Sequence, residues 1–243
     1  GHDVIGDVHL GDWGLQMGMV ISEVERRNPS LPYFDESFTG EYPEEAPFTI
    51  DELEDIYPYA SKLAKSDEKV MEAAKQATVE LQQGRRGYVA LWKHILNVSV
   101  ADLKKNYGAF ELWNGESDAQ KLIPEMIEDL KQKGFAQESE GALVFDVSEE
   151  TDKSPVPPLL LLKSDGASLY GTTDLATVVE RVRDMKADEI IYLADKRQGL
   201  HYEQFFRAAK KSGIAHEDTV LDFIGFGTMN GKDGKPFKTR EGG

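Results

Sequence analysis

The sequence predicts an α/β fold, a doubly wound parallel sheet interrupted by a mainly helical insertion that also contains strand. Three observations predict it. From about residue 157 onward, apolar runs of strand length alternate with helical patterns, which is typical of a parallel sheet with helices on its faces. Between about residues 25 and 156, most apolar residues recur at helical spacing instead. The 243 residues are 40% hydrophobic, enough to bury the core of one large domain or two modest ones.

The first predicted elements are a short strand and a helix. Residues 3–9 have strand character and run into a turn with two glycines, after which Met17, Val20, Ile21 and Val24 recur at helical spacing. The later elements expected in this part are helices over Ile56–Leu81, Tyr88–Tyr107 and Ile123–Lys133, and a strand over Ala142–Val147.

From Pro157 the pattern changes to short apolar runs. Leu159–Lys163 is a predicted strand, Ser164-Asp165-Gly166 supplies a hairpin turn, and Ala167–Tyr170 forms the returning arm. Thr172 or Thr173 is expected to cap the next helix. Two further strands, Glu189–Ala194 and Thr219–Ile224, are expected to flank a helix that contains Tyr202, Phe205, Phe206 and Ala209.

The charge and the cysteine count exclude some classes of protein. The net charge is −16, which excludes a generally basic nucleic-acid-coating protein, although residues 181–243 hold 12 basic against 10 acidic residues. The chain has no cysteine, so disulfide frameworks and thiolate metal sites are excluded. No apolar run approaches ~20 residues and the first residues have no signal-peptide pattern, so we expect a cytoplasmic protein.

The glycine-rich tail comes close to two phosphate-binding motifs and matches neither. Gly225–Gly231 has one residue too many for G-x-G-x-x-G, and Gly227–Lys232 is one residue short of a P-loop. The last twelve residues, from Lys232 onward, still carry four cations among several glycines. They predict a mobile, positively charged loop that could close over a polyphosphate and neutralise charge developing on it.

Two polar groups follow predicted strands, where ligands bind in open α/β sheets. Tyr170-x-x-x-Asp174 places a tyrosine at a strand end and an aspartate at the following helix start, although the aspartate could merely favour the positive end of that helix. Arg197–Gln204 follows the strand that ends near Ala194. In that group His201 could contact phosphate or adenine, or be an ordinary first-turn histidine.

Taken together, these motifs resemble those of the arginyl-tRNA synthetases, in which they occur in the same order. The resemblance runs along the whole chain, and the tail and the Arg-Gln-x-x-His block are its most specific parts. The matching motifs are Gly11-Asp12-Trp13-Gly14-x-Gln16, Gly115-Glu116-Ser117, Tyr170-x-x-x-Asp174, Arg197-Gln198-x-x-His201-x-x-Gln204 and Asp233-Gly234-Lys235-Pro236-Phe237-Lys238-Thr239-Arg240.

The resemblance implies a fold and an activity. The fold is the Rossmann-like catalytic core of a class I synthetase, with residues 1–24 and 157–243 forming the catalytic lobe and residues 25–156 the connective insertion. The activity is ATP-dependent activation of L-arginine, then attachment to tRNA(Arg) through arginyl-adenylate. The family uses ATP with Mg²⁺ and needs bound tRNA for activation. We also expect a monomer, with no membrane partner because no apolar run is long enough to span a bilayer, and with no structural metal because the chain has no cysteine.

The resemblance also implies roles for individual residues. A guanidinium presents a planar set of donors, so its recognition calls for carboxylates and a phenol. The implied arginine-binding residues are Glu116, Tyr170, Asp174 and Gln198, the last holding the backbone end of the amino acid. The implied ATP-binding residues are His201, Gln204, Gly227, Thr228 and Met229, and the implied catalytic cations are Lys235, Lys238 and Arg240.

The sequence departs from the family pattern in several places. The family's first ATP motif, His-x-Gly-His, and a nearby asparagine are expected upstream of the opening strand and are absent. His9-Leu10-Gly11-Asp12 is not that motif, since it has aspartate in place of the second histidine, and it is interpreted as a strand-to-turn junction. The tRNA-binding domains are absent too, and the segment between Gly108 and Glu111 is expected to be a few residues short. These departures predict an inactive fragment of a catalytic domain. The alternatives are another class I synthetase, a nucleotidyltransferase, or a non-catalytic arginine-binding fragment.

Overall fold

The structure, a computed structural model, describes residues 1–108, 110–164, 166–228, 230, 231 and 234. The chain divides into two compact units, one of residues 1–117 with 231–243 and the other of residues 118–230. These units do not follow the boundaries implied by the resemblance, and the assignment of residues 25–156 as an insertion stays a prediction. Four predicted site residues, Met229, Lys235, Lys238 and Arg240, lie outside the described residues.

The first unit is mainly helical over the residues described. Its second helix begins with a capping box, in which the Thr49 hydroxyl accepts the Glu52 N–H and the Glu52 carboxylate accepts the Thr49 N–H. The helix predicted over Ile56–Leu81 is divided at Asp67, whose carboxylate caps the following helix. The helices are α1 (Leu15–Arg27), α2 (Ile50–Ser66), α3 (Glu68–Gln82) and α4 (Arg86–Tyr107), and a short α5 (Glu116–Ala119) crosses into the second unit.

The core of the first unit joins one face of each long helix. Burial of these faces supplies most of the stability of such helices. The buried residues include Ile21 of α1, Ile56 of α2, Leu81 of α3 and Leu91 of α4. Glu23 is buried beside them, and although burial raises its pKa, hydrogen bonds from Arg26 and Arg27 lower the pKa below its ordinary value overall.

The opening segment forms two parallel bridges in place of the predicted strand. Asp7 pairs with Leu112 and Leu10 pairs with Gly115, and neither pair extends into a named strand. The Leu10 amide donates to the Asn114 carbonyl at 2.8 Å, and the Glu116 amide donates to the Leu10 carbonyl at 3.0 Å. The opening segment is therefore held against the residues that lead into α5.

The second unit mixes strands and helices. Its elements are α6 (Ile123–Gln132), β1 (Ala136–Ser139), β2 (Ala142–Phe145), β3 (Leu159–Leu162), α7 (Tyr170–Arg183), β4 (Glu189–Asp195), α8 (Gly199–Ser212) and β5 (Val220–Phe226), with 3₁₀ turns at Gln120–Leu122 and Lys196–Gln198. The predicted strands that correspond to β2, β3, β4 and β5 are confirmed. The returning arm of the predicted hairpin is reduced to one antiparallel bridge, between Leu162 and Ser168.

Two small sheets define the fold class. The strands β1, β2 and β3 form an antiparallel sheet in that order, so β3 does not join a parallel strand as the sequence pattern suggested. The strands β4 and β5 pair in parallel over seven residues, from Glu189 opposite Val220 to Asp195 opposite Phe226. The α/β class is confirmed by these sheets and the helices around them.

The core of the second unit is shared by α6, α7, α8 and the two sheets. Its largest fully buried side chains include Leu130 of α6, Phe145 of β2, Leu161 of β3, Leu175 of α7 and Phe205 of α8. Removing such a side chain costs about 2–5 kcal/mol, so this core fixes where α7 and α8 lie relative to each other. In the described residues of both units, no helix is long and apolar enough to span a bilayer.

Candidate functional site

Tyr170 and Asp174 lie on one face at the start of α7. The prediction that Tyr170 ends a strand is wrong, because α7 begins at Tyr170. The Thr172 hydroxyl explains this start: it accepts the Leu169 N–H at 3.2 Å and donates to the carbonyl of Leu161 in β3. Thr172 thus lies within the first turn and fastens it to the sheet. Residues four apart on a helix are neighbours, so the phenol and the carboxylate share one surface.

His201 of α8 completes a cluster with these two side chains. Its Nε2 lies 2.6 Å from Oδ2 of Asp174, and its ring meets the Tyr170 ring edge to face with centroids 4.7 Å apart. The side chains of His201 and Asp174 are 14% and 19% exposed, whereas Tyr170 is 61% exposed. The cluster therefore combines a mostly buried hydrogen bond between His201 and Asp174 with an exposed phenol at its rim.

Aromatic packing supports the cluster from below. His201 contacts the rings of Tyr202 and Phe205 on its own helix, at centroid distances of 5.4 and 5.1 Å. Tyr192 of β4 packs against Tyr202 and Phe205, and burial raises the pKa of Tyr192 to about 12. Because this phenol stays protonated at neutral pH, the negative charge of the site comes from Asp174.

A second polar cluster joins the carboxyl ends of the two parallel strands. Asp195, the last residue of β4, accepts both the backbone N–H and the guanidinium of Arg197. It also accepts the Thr228 hydroxyl at 3.4 Å, just beyond the end of β5. The Arg197 side chain and backbone N–H lower the pKa of Asp195 to about 2. Asp195 thus fixes both strand ends, a role the sequence did not indicate.

The other predicted residues of this unit lie around α8 and β5. Gln198 is exposed at the end of the 3₁₀ turn that leads into α8, and Gly227 is exposed after β5. The Gln204 amide donates to the Pro157 carbonyl at 2.7 Å and to the Pro158 carbonyl at 3.3 Å. Gln204 therefore ties α8 to the segment before β3.

In the first unit, Glu116 is presented by a buried aspartate. The Asp12 carboxylate, in a residue only 3% exposed, accepts the Ser117 N–H at 3.0 Å and the Ser117 hydroxyl at 2.6 Å. Gly115 has no side chain because an added Cβ would meet that carboxylate. The Trp92 indole in turn donates to the Asp12 carbonyl at 2.8 Å. Asp12 therefore caps the start of α5 through Ser117, the residue after Glu116, and sequence analysis missed this because the motifs that contain Asp12 give no sign of its pairing with Ser117.

A cavity in the second unit lies away from these residues. It has a volume of about 550 Å³ and contacts Asp188 and Thr219, the residues that precede β4 and β5. It therefore lies at the amino ends of the parallel strands, whereas ligands in open α/β sheets bind at the carboxyl ends. Among the described residues, no three histidine, aspartate or glutamate side chains lie together as a metal-binding group.

The described structure thus brings together some predicted site residues. Tyr170, Asp174 and His201 form one cluster, and Thr228 lies at the second cluster beside Asp195. Glu116 belongs to the other unit, where it begins α5. The four-residue spacing made the pair of Tyr170 and Asp174 visible in the sequence, but not its contact with His201, which was assigned to the nucleotide. The bonds from Thr228 to Asp195 and from Ser117 to Asp12 join residues too far apart along the chain for a local spacing to reveal.

The family profile and the relatives that match this chain agree with one another. The family profile described as tRNA synthetases class I (R), catalytic domain, matches residues 1–243. The arginine–tRNA ligase of Alkaliphilus oremlandii is 70% identical over 247 residues, covering all of this chain and 42% of that protein. That of Francisella tularensis is 55% identical over 247 residues, again covering all of this chain and 42% of the relative.

Two solved structures resemble the fold. The arginyl-tRNA synthetase of Plasmodium falciparum superposes with a TM-score of 0.71 at 25% identity, over 92% of this chain and 36% of that one. The Thermus thermophilus arginyl-tRNA synthetase gives a TM-score of 0.61 at 17% identity, over 93% of this chain and 42% of that one, a likeness of fold. This chain spans less than half the length of the curated relatives it matches. On the profile match along its full length, the chain belongs to the class I tRNA synthetase (R) catalytic-domain family, that of the arginyl-tRNA synthetases.

Proposed function

We propose that the intact protein activates L-arginine with ATP and attaches it to tRNA(Arg) through arginyl-adenylate. The observation that carries the proposal is the cluster of Tyr170, Asp174 and His201, which offers a carboxylate and an open phenol side by side. The relatives from Alkaliphilus oremlandii and Francisella tularensis are named arginine–tRNA ligases, and their high identity to this chain supports the same activity.

Recognition of the arginine side chain would rest on acceptor groups. A guanidinium has five N–H donors and no acceptor, and a carboxylate can receive two of them in parallel. Asp174 and Tyr170 supply such acceptors in one unit, and Glu116 is proposed to supply the second carboxylate. Lysine presents a compact ammonium that cannot satisfy two forked acceptors at once, so the same groups would discriminate against it. Gln198 is proposed to hold the backbone end of the amino acid.

The nucleotide would lie at the carboxyl ends of β4 and β5. The resemblance assigns His201, Gln204, Gly227, Thr228 and Met229 to ATP, and of these Thr228 is held by Asp195 at that edge of the strands. Mg²⁺ is proposed to arrive with the ATP phosphates, whose oxygens suit its preference for hard ligands. The cations proposed to stabilise the charge on the α-phosphate and the leaving pyrophosphate are Lys235, Lys238 and Arg240.

No general base is needed for the activation step in this proposal. The carboxylate of arginine is already a nucleophile at neutral pH, so the rate would depend on position and on charge stabilisation. The residues that orient arginine and ATP would therefore affect the rate as strongly as those that contact the reacting phosphate.

The finer fold is part of the same proposal. A Rossmann-like parallel sheet, made by residues 1–24 and 157–243 and interrupted by an insertion over residues 25–156, is supported by the parallel pairing of β4 with β5. One face of this pair carries exposed apolar side chains, including Ile191, Leu193 and Ile224. Parallel sheets are usually covered on both faces, so this exposure favours a larger layered sheet in the intact protein. A monomer in the cytoplasm remains the expected state.

The direct test is ATP–pyrophosphate exchange by the intact protein, screened over the twenty amino acids with tRNA present. The proposal predicts that arginine is the only one of the twenty amino acids to support exchange, and that this exchange requires tRNA. Exchange with another amino acid would identify a different class I synthetase. ATP–pyrophosphate exchange in the absence of any amino acid would indicate a nucleotidyltransferase.

Calorimetry on the present chain separates the remaining alternative. Heat on titration with arginine, together with an absence of arginine-dependent exchange by the intact protein, would identify a non-catalytic arginine-binding protein. Exchange by the intact protein, with or without binding by the present chain, supports the synthetase.

A further inference from the structure

We infer that His201 is a positioning residue of the arginine site, fixing the Asp174 carboxylate and the Tyr170 ring, and not a nucleotide contact. This inference rests on the proposed function and deepens it, because the resemblance assigns His201 to ATP. It stands on the 2.6 Å approach of His201 Nε2 to Asp174 Oδ2 and on the edge-to-face contact with Tyr170.

The chemistry of the pair fixes the direction of the hydrogen bond. An ionised carboxylate has only acceptors, so Nε2 of His201 carries the hydrogen and donates it to Asp174. A bond of this kind to a charged acceptor is short and stronger than one between neutral groups. It holds the carboxylate in one rotamer before the ligand arrives, so less side-chain entropy is lost when a guanidinium binds.

His201 is itself held on several sides. The rings of Tyr202 and Phe205 pack on it from its own helix, and Tyr170 packs on it from α7. The start of α7 lies close to β3 at Gly171, where an added Cβ would lie 3.0 Å from a methyl of Leu159. With the imidazole only 14% exposed, little of its surface remains for a nucleotide. The ring is therefore arranged as a support for the two arginine-binding groups.

The test compares two polar replacements of His201 in the intact protein. In His201→Gln the amide nitrogen can reach the position of Nε2, whereas in His201→Asn the side chain is too short to do so. We expect His201→Asn to raise the KM for arginine about 10-fold or more, the loss expected for a hydrogen bond to a charged group. His201→Gln should stay within about 3-fold of the wild type, and the KM for ATP should change less than about 2-fold in both.

A control on the same helix separates positioning from general damage to α8. Glu203 pairs with Arg207 in a salt bridge of 2.6 Å, so Glu203→Gln perturbs the helix without touching the cluster. We expect its KM for arginine to match the wild type. Thermal unfolding of every variant, followed by circular dichroism, identifies any loss of fold. His201→Phe is a further variant, which keeps a ring against Tyr170 but has no hydrogen-bond donor. It should behave like His201→Asn.

Each outcome bears on one proposal. If His201→Asn and His201→Gln share the wild-type KM for arginine, or if the KM for ATP rises instead, the positioning role is overturned while the synthetase proposal stands. If the wild-type protein shows no arginine-dependent exchange, the proposed function fails first and the positioning role fails with it. A rise in the KM for arginine that His201→Gln reverses supports both.

Discussion

Two aspartates, one in each compact unit, hold short segments in place by different means. Asp12 is almost completely buried and accepts both the N–H and the hydroxyl of Ser117, so its carboxylate serves the fold. Asp174 is bonded to His201 through Oδ2 and keeps 19% of its side chain exposed, so solvent or a ligand can reach it. A buried carboxylate of the first kind can support a neighbouring residue, here Glu116, which is proposed to bind arginine, whereas one of the second kind can itself be part of a site.

The largest expected effect comes from Asp174. Replacement by asparagine keeps the shape but removes the charge that would pair with a guanidinium, so we expect the KM for arginine to rise about 100-fold. The KM for ATP should change less than about 3-fold. Steady-state exchange with both substrates varied measures this. Asp184→Asn is the matched control, because Asp184 caps the other end of α7 and pairs with Arg183 at the surface.

Glu116, in the first unit, can be tested in the same way as Asp174. We expect Glu116→Ala to weaken the use of arginine far more than the use of ATP, because a second carboxylate is lost from the proposed pocket. The same exchange assay applies. An unchanged kcat and KM for arginine in both Asp174→Asn and Glu116→Ala would remove these residues from the arginine site.

The next effect is on stability, and it tests the structural role of Asp12. Asp12→Ala removes a helix cap and leaves the partly buried Ser117 donors without their partner, so the free energy of unfolding should fall by about 2 kcal/mol. Urea unfolding measures the change.

Asp35 offers a matched control for Asp12. Its carboxylate accepts the N–H and the hydroxyl of Ser37, the same pair of bonds, but at the surface. Water can replace those bonds, so Asp35→Ala should cost about 0.5 kcal/mol or less. Equal losses in the two variants would show that burial does not distinguish the Asp12 site.

The smallest expected effect is the pH dependence contributed by Asp195. Its pKa in the folded protein is lowered from 3.8 to about 2, mainly by the Arg197 side chain and then by the Arg197 N–H. A lowered pKa stabilises the folded state above the unfolded value of 3.8, and this contribution is lost as the pH falls through about 2. The difference in unfolding midpoint between wild type and Asp195→Asn should be constant above pH 3.8 and shrink toward pH 2. A difference that persists unchanged at the low end would contradict this linkage.

Sequence analysis predicted the elements that depend on local patterns of residues and missed the contacts between residues far apart along the chain. The strands β4 and β5 and the helix α8 were predictable because apolar periodicity reports burial directly. The start of α7 was placed too late because the decisive contact, from Thr172 to Leu161, crosses between elements. The role of Asp12 was invisible because its partner Ser117 lies 105 positions away along the chain.

The comparisons add one feature of the chain itself. The alignments with both relatives extend over 247 positions, more than the 243 residues of this chain, so the relatives carry a few residues that it lacks. The shortening predicted between Gly108 and Glu111 is of this size. A segment of that length cannot be recognised from periodicity, because removing a few residues from a connection leaves the patterns on either side unchanged.

The charge at Asp174 can be tested most directly by binding arginine and citrulline to the intact protein. Citrulline has nearly the same shape as arginine but a neutral urea in place of the guanidinium. By calorimetry, the wild type should bind arginine at least about 100-fold more tightly than citrulline, and Asp174→Asn should bring this ratio close to one. If the ratio of the affinities for arginine and citrulline is the same in wild type and Asp174→Asn, the cluster of Tyr170, Asp174 and His201 does not recognise the guanidinium.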